Sequence, residues 1–543
     1  MERKTGVQKL KFKLKLKHRG CSRYGKASGS ITLFLALVMT LVFSLLFSLL
    51  EAARVQALDE IAARSLLLEL ESAFGEYQPE LWRDYGLLFL DGGNDSGELD
   101  LALLEGHRME EAVLAQKGMG FYQMALKNLQ FTGYTLATDD GGAVFQKQAC
   151  AAIQAQLAAG TAQALQATAQ KGKELAEESE THQQQWNSAK NAMTKADEIE
   201  KEKKTDAAAS PEKERPKASL SLSEKESKQS AKTVPSGKAG AKTGKNLPEN
   251  PVDSVDVLKN SMTLALVVEN PSEISAKTIP LSDTLGNRKI AQGNWQLPKG
   301  GSLDKLWFLQ YLNRYFSCGS GAGEKGSENH ALEYELEYCI AGKDSDYENL
   351  EKTVKELLLI REAGNFMTIM QDGQKQALAL EIATAAVGFT GLAPLIQAVQ
   401  IGILLAWSYI ESILDVRCLL SGGSVPLVKA ISDWQSDVSL GEKLVADKEE
   451  KTKNRKEGLN YRQYLQILLL LVAEDTLAYR AMDVIECNIA LKEPEFRMDC
   501  QIHGVQAEGL YAAESLFLGF ATVRRIKDGT YHFRKISECT YLQ

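Results

Sequence analysis

The sequence predicts a helix-dominant α+β protein: an N-terminal transmembrane helix continues into a helical stalk and then a mixed α+β extracytoplasmic domain interrupted by a disordered linker. Three observations carry this. Ala27 to Leu50 is 24 residues without a charge. Apolar residues recur at three-and-four spacing through much of the rest, with shorter alternating runs near the C-terminus. Between Trp186 and Trp295 no aromatic residue occurs, and five of the twelve prolines fall between Pro211 and Pro251.

Ile31 to Leu50 is the membrane segment. At about 1.5 Å per residue, twenty residues match a hydrocarbon core of about 30 Å. Residues 1–30 carry ten Lys or Arg against Glu2, a charge of +9 that leaves -17 for the rest of a chain whose net charge is -8. The positive-inside rule then places the N-terminus in the cytoplasm and the bulk outside. The competing reading is a cleaved secretory signal, with Val55-Gln56-Ala57 as a small-residue processing site. In the tail, Lys9 to Lys17 alternates basic and apolar residues, which suits an anionic lipid surface as well as a topology signal.

Past the membrane, Val55, Leu58, Ile61, Leu66, Leu70 and Phe74 keep helical spacing, so the helix runs on. Glu51 and Arg54 lie one turn apart where it leaves the bilayer; a solvated, snorkelled pair is expected there, the functional alternative being Glu51 as a contact within a helical assembly. Pro79 opens a short apolar unit ending at Asp91-Gly92-Gly93. Phe131 to Phe145 alternates around Asp139-Asp140-Gly141-Gly142, a turn between short strands.

Residues 146–204, rich in Ala, Gln, Glu and Lys, read as long polar-faced helices. Residues 205–251 cannot bury enough apolar surface to offset their chain entropy and read as a linker. In the second half, Leu332 to Ile340 alternates as a strand, and Ser345 with Glu348 has capping-box spacing for a helix from Asp346 to about Met370. Ile382 to Ile410 is uncharged, but Gly388, Gly391, Pro394, Gln397 and Gln400 make it a buried helical pair rather than a second span. Ile467 to Val472 is a core helix segment, and Arg497 to His503 and Thr530 to Tyr541 read as strands. The divisions are thus 1–28 basic cytoplasmic tail, 29–50 transmembrane helix, 51–145 stalk and first part of the external domain, 146–204 helices, 205–251 linker and 252–543 α+β domain.

Chemistry is sparse. The acidic bulk argues against nucleic acid as partner. Six histidines are scattered without HExxH or i, i+4 pairing, and Cys487, Cys500 and His503 lack a fourth nearby ligand, so no metal or other cofactor is expected. Gly319 to Gly323 is read as a flexible loop, since no strand or helix with a phosphate-binding Lys flanks it. Asp344 and Asp346 fit helix capping better than acid/base work. No catalytic residue is named. With the bulk outside, disulfides are chemically allowed; Cys318, Cys339, Cys487 and Cys500 are candidates, in a pattern the spacing leaves open.

Gly29 to Leu35 and Leu50 to Ala57, with Glu76-Tyr77, Leu81-Trp82, Tyr85-Gly86-Leu87, Thr132-Gly133-Tyr134 and Asp140 to Phe145, form a set that continues through Glu333 to Glu335, Gly342 to Asp346, Asn349-Leu350, Glu411, Asp415-Val416-Arg417, Gly422, Val425-Pro426-Leu427 and Lys429. This set resembles an uncharacterised family of single-pass membrane proteins associated with tight-adherence (Tad/Flp) pilus loci of Gram-positive anaerobes, TadE/TadG-like in architecture. The resemblance implies a membrane-anchored structural or assembly component of a pilus or envelope system, minor-pilin-like, with the bilayer and other pilus or envelope proteins as partners. It also makes Gly29 a candidate processing position, although five residues later stands Phe34 where those relatives carry Glu. The alternative is a ligand-binding or sensory ectodomain; for an enzyme, no nucleophile, base or metal set can be named.

Overall fold

The computed structural model describes residues 29–115, 120–156, 160–208, 250–261, 263–268, 271–295, 304–319, 330–437, 457–517, 526–527 and 529–542. The basic tail, most of the linker and positions 320–323 of the glycine-rich loop lie outside these.

The first helix, α1 (Gly29–Phe74), holds neither Gly nor Pro after its first residue, and at about 1.5 Å per residue it runs for about 69 Å. Every residue from Ile31 to Leu50 is exposed. Below them Leu58, Ala62, Leu66, Leu70, Ala73 and Phe74 form a buried stripe at three-and-four spacing. The continuation of the membrane-type helix therefore lies along a sheet. Gly75 ends it, and α2 (Pro79–Tyr85) follows with proline in its first turn and a left-handed Gly86 (φ 67°) as its cap. Next come β1 (Leu90–Asp91), α3 (Leu101–Ala115), β2 (Ala125–Leu136), α4 (Asp139–Gln154) and α5 (Gly160–Ala208).

After residue 250 the order is α6 (Pro251–Asn260), α7 (Thr263–Val267), α8 (Asp304–Tyr315), α9 (Glu335–Ala341), α10 (Asp346–Ile369), α11 (Gly373–Val387), α12 (Ala393–Leu420), β3 (Ser424–Val425), β4 (Leu459–Asn460), α13 (Tyr461–Leu471), α14 (Glu474–Ala490), β5 (Gln501–Glu514), β6 (Ile526–Lys527) and β7 (Thr530–Thr540). This is the helix-dominant α+β class the sequence predicts.

Strand β5 pairs antiparallel with β1, β2 and β7, and β6 pairs with β7. Leu126, Leu129, Phe131, Val505, Ala507, Tyr511, Tyr531 and Phe533 close onto the α1 stripe in one core. A larger core gathers the helices. There α12 is buried from Gly402 to Leu419 apart from Arg417 and packs on α5, α10 and α11, so the uncharged 382–410 stretch forms a helical pair that is buried only in part: Phe389 and Leu392, in the turn between α11 and α12, are exposed.

Local readings change in three places. Leu332 to Ile340 is not a strand: Glu335 to Ala341 is helix α9, because Glu335 and Glu337 are buried too and the apparent two-fold alternation has no solvent face. The Asp139–Gly142 turn leads from β2 into α4 rather than into a second strand. Asp140, Gly141 and Gly142 stand left-handed at φ 53°, 73° and 83°, and the residues after them bury Val144, Phe145, Gln148, Ala149 and Ile153 at helical spacing. Of Arg497 to His503, the first part is a short 3-10 turn, and β5 starts at Gln501 and runs longer, to Glu514.

Candidate functional site

The two charged residues where α1 leaves its apolar segment are buried, Glu51 at 0% and Arg54 at 3% exposure. They sit at the head of the stripe that continues through Leu58, three and four residues apart. The Arg54 side chain donates from Nε to the Phe121 carbonyl and from Nη1 to the Glu514 carbonyl, both at 2.8 Å, with Glu51 Oε1 at 3.4 Å. Glu51 Oε1 accepts from the Leu516 amide at 3.2 Å. Burial, and then the nearby Glu51 carboxylate, hold the Tyr531 hydroxyl above its ordinary pKa.

The expected solvated pair is thus corrected. Glu51 and Arg54 clamp the segments before β2 and after β5, which meet at one end of the antiparallel β2–β5 ladder, onto the helix, because their register on α1 points them at the sheet. Gly29 opens α1 at the far end of the apolar segment and meets neither of them.

A second constellation lies in the helical core. Arg361 on α10 is completely buried. Its Nε and Nη2 donate to Asp415 Oδ2 (3.1 and 2.9 Å), its Nη1 donates to the Pro426 and Leu427 carbonyls (3.0 and 2.8 Å) and the Tyr464 hydroxyl (2.9 Å), and Nη2 also reaches Asn365 Oδ1 (3.1 Å). Lys429 bridges Glu411 and Asp415. Glu411 Oε2 also accepts from the Ser436 amide at 2.7 Å.

Two cations thus face two carboxylates, and backbone and hydroxyl groups satisfy the remainder, the condition under which buried charge is tolerated. Burial opposes the Asp415 charge, but Arg361 and Lys429 outweigh it and hold its carboxyl below the usual range. Burial likewise opposes the Arg361 charge, and Tyr464 and Asp415 reverse that effect. Gly364 makes room for this arrangement: a Cβ there would stand 2.6 Å from the Leu427 carbonyl oxygen. In the sequence Glu411, Asp415 and Lys429 stand out only as parts of a resemblance, and Arg361 only falls within the helix expected from Asp346 to about Met370. The available signal was an ionisable residue at an apolar register position, Arg361 following Val354, Leu357 and Leu358.

Other buried acids act as staples. The Asp346 carboxylate accepts from the Ser275 hydroxyl and the Glu333 and Tyr334 amides (2.6, 2.9 and 3.1 Å). Helix α10 is capped instead by Ser345, which accepts from the Glu348 amide. Glu337 accepts from the Tyr461 hydroxyl and the Gly319 amide, each at 2.8 Å, and burial pushes its carboxyl up to about 7.

None of Cys318, Cys339, Cys487 and Cys500 is joined in a disulfide. Cys318 and Cys339 lie in the helical core and Cys487 packs against it, Cys339 fully enclosed, while the Cys500 thiol points at the Gly97 carbonyl. Burial raises the Cys487 and Cys500 thiols to about 12. His503 does not converge with them; its Nδ1 meets Gln148 Nε2 at 2.8 Å, and burial lowers it to about 4. Among the described residues no group of three or more His, Cys, Asp or Glu is placed to hold a metal ion. A cleft of about 310 Å³ opens beside the α4 turn, lined by Asp139, Asp140, Gly293, Trp295 and Tyr479. Both Asp139 oxygens are engaged there, by the Leu136 and Gly293 amides.

No curated protein and no solved structure matches the chain. Residues 241–513 match a family described as "Family of unknown function (DUF5702)". The match holds all of the Arg361 cluster and most of β5, and leaves out α1 and β2. Since it covers just over half of the 543 residues, the chain belongs to the family of unknown function DUF5702.

Proposed function

We propose that this chain is a membrane-anchored extracytoplasmic structural or assembly component of a tight-adherence-type pilus or related envelope system, minor-pilin-like in architecture. The observation that carries the reading is α1: one unbroken helix, wholly exposed and apolar from Ile31 to Leu50, whose continuation is clamped to the sheet at Glu51 and Arg54. An anchor joined rigidly to its domain transmits position and force, which suits a scaffold. The basic excess before the apolar segment supports a cytoplasmic N-terminus. The resemblance along the chain supports the pilus assignment, and the buried acids, engaged as staples, favour a scaffold over a catalyst.

The test is to shear surface filaments from cells and probe the sheared and membrane fractions for a C-terminal tag, with and without protease on intact cells. A protease-sensitive tag in the membrane fraction is expected for an anchored assembly factor, and tag in sheared filaments for a minor pilin. A protected tag overturns the orientation. One observation favours the second reading, a ligand-binding ectodomain: the buried Thr138 hydroxyl, in the wall of the cleft, has no hydrogen-bond partner among the described residues. Retention of a small polar solute by the purified chain, lost in Thr138→Val, would favour it.

A further inference from the structure

The Glu51–Arg54 clamp brings an aromatic cluster down to the apolar part of α1. Phe517, just after β5, stacks on Phe47 with ring centroids 5.4 Å apart and planes within 5°. Phe47 lies inside the exposed apolar segment, four residues and about 6 Å below Glu51. Phe121, in the turn that precedes β2, meets Phe517 at 6.0 Å and Tyr122 edge-on at 5.1 Å. Leu516, Phe121 and Tyr122 remain 51%, 41% and 40% exposed. Arg54, whose guanidinium lies 5.7 Å from the Phe121 ring centroid, is taken up by backbone carbonyls, and Glu51 accepts from the Leu516 amide. A soluble surface rarely leaves such side chains together, whereas membrane interfaces collect aromatic rings at headgroup depth.

We propose that Phe121, Tyr122, Leu516 and Phe517 form a collar that inserts into the outer headgroup and acyl boundary of the bilayer, seating the domain on the lipid surface beside its own anchor. The occupant is lipid because Phe517 shares its depth with Phe47, a residue of the span. The contact is apolar, so neutral lipid suffices and salt leaves it intact. The proposal rests on the reading of Ile31 to Leu50 as a membrane span.

The experiment uses the full chain in phosphatidylcholine vesicles, with the photoreactive residue p-benzoylphenylalanine replacing Tyr122, Leu516 or Trp82 in separate variants. Trp82 is the control: it is 49% exposed and meets Tyr77 edge-on, past the distal end of α1. After illumination, lipid-mass adducts are expected at 122 and 516 and none above background at 82, at low and high salt alike. A chain that resists alkaline carbonate washing yet forms no adducts at 122 and 516 overturns the collar and leaves the span standing. Release by carbonate overturns both.

Discussion

At Arg361 a guanidinium with no solvent contact makes six polar contacts to five other residues, so its removal takes donors from the Pro426 and Leu427 carbonyls and leaves the Asp415 carboxylate with Lys429 and Asn365 alone. Arg361→Met should cost about 3–5 kcal/mol, as expected when one member of a buried ionic cluster is lost. Denaturant midpoints would measure it. Asp415→Leu should cost a similar amount, and the double variant less than the two together, by about 0.5–3 kcal/mol; strict additivity would refute the cluster as a unit. Glu337 gives a pH prediction of opposite character. Its folded carboxyl is raised from 4.5 to about 7, so below 4.5 folded and unfolded chains both hold the proton and no penalty exists. As pH rises the unfolded chain ionises first, and stability falls until about pH 7, by about 3 kcal/mol. In Glu337→Gln this slope should vanish. The stability difference between variant and parent should therefore move in the variant's favour across that window, with Asp483 and His503, present in both proteins, cancelling. A difference that stays flat with pH would show that Glu337 ionises in the fold as it does in water.

At the scale of elements, α1 is where sequence and structure agree and then part. Its length, its apolar segment and its continuation to Phe74 were legible, because a single periodicity and the lack of Gly or Pro decide them. That Glu51 and Arg54 belong to the packed stripe was legible only in their register, seven and four residues before Leu58, since charge at an interface suggests solvent first. Arg54→Ala should strand Glu51 and release the Phe121 and Glu514 carbonyls. The joint should then open locally, at a cost of about 3–5 kcal/mol. Amide exchange should quicken at 120–125 and 512–516 while 62–74 stays protected, and unchanged protection at 512–516 would show that the pair does not hold the joint. Helix α9 was misread for a physical reason: alternation signals a strand only when one face meets water. In the α10 helix, Gly364→Ala forces a methyl to 2.6 Å from the Leu427 carbonyl oxygen. The helix or the 426–427 segment must shift, at about 1–3 kcal/mol of stability, readable as a lowered denaturant midpoint.

For the whole molecule, the linker between residues 205 and 251 does not separate two domains. Strand β2, before it, pairs with β5, after it, and α4 packs on α8 and α14. No local pattern encodes such pairing, which is why the sequence yields segments but not their interleaving. Around the linker itself the partners are explicit. Lys190 meets Asp256 at 2.8 Å, Lys259 lies 4.4 Å from the Trp186 ring centroid, and Asn250 Nδ2 contacts Met193 Sδ at 3.5 Å, so α6 runs back along α5. The chain leaving Ala208 must therefore return past the fifteen helical residues beyond Met193, about 22 Å. At about 3.3 Å per extended residue, about seven residues suffice, whereas 209–249 offers 41. Deleting 219–239 leaves 20 residues, which reach about 66 Å, so closure is unstrained. On the compositional reading of this stretch as a linker, halving it lowers the closure entropy by about 0.6 kcal/mol, and the deletion variant should match or slightly exceed the parent in denaturant midpoint. Its membrane retention and its protection at 512–516 should be unchanged. A loss of several kcal/mol would mean that the deleted residues pack on the fold, and would overturn the compositional argument that nothing in them can offset the entropy of ordering.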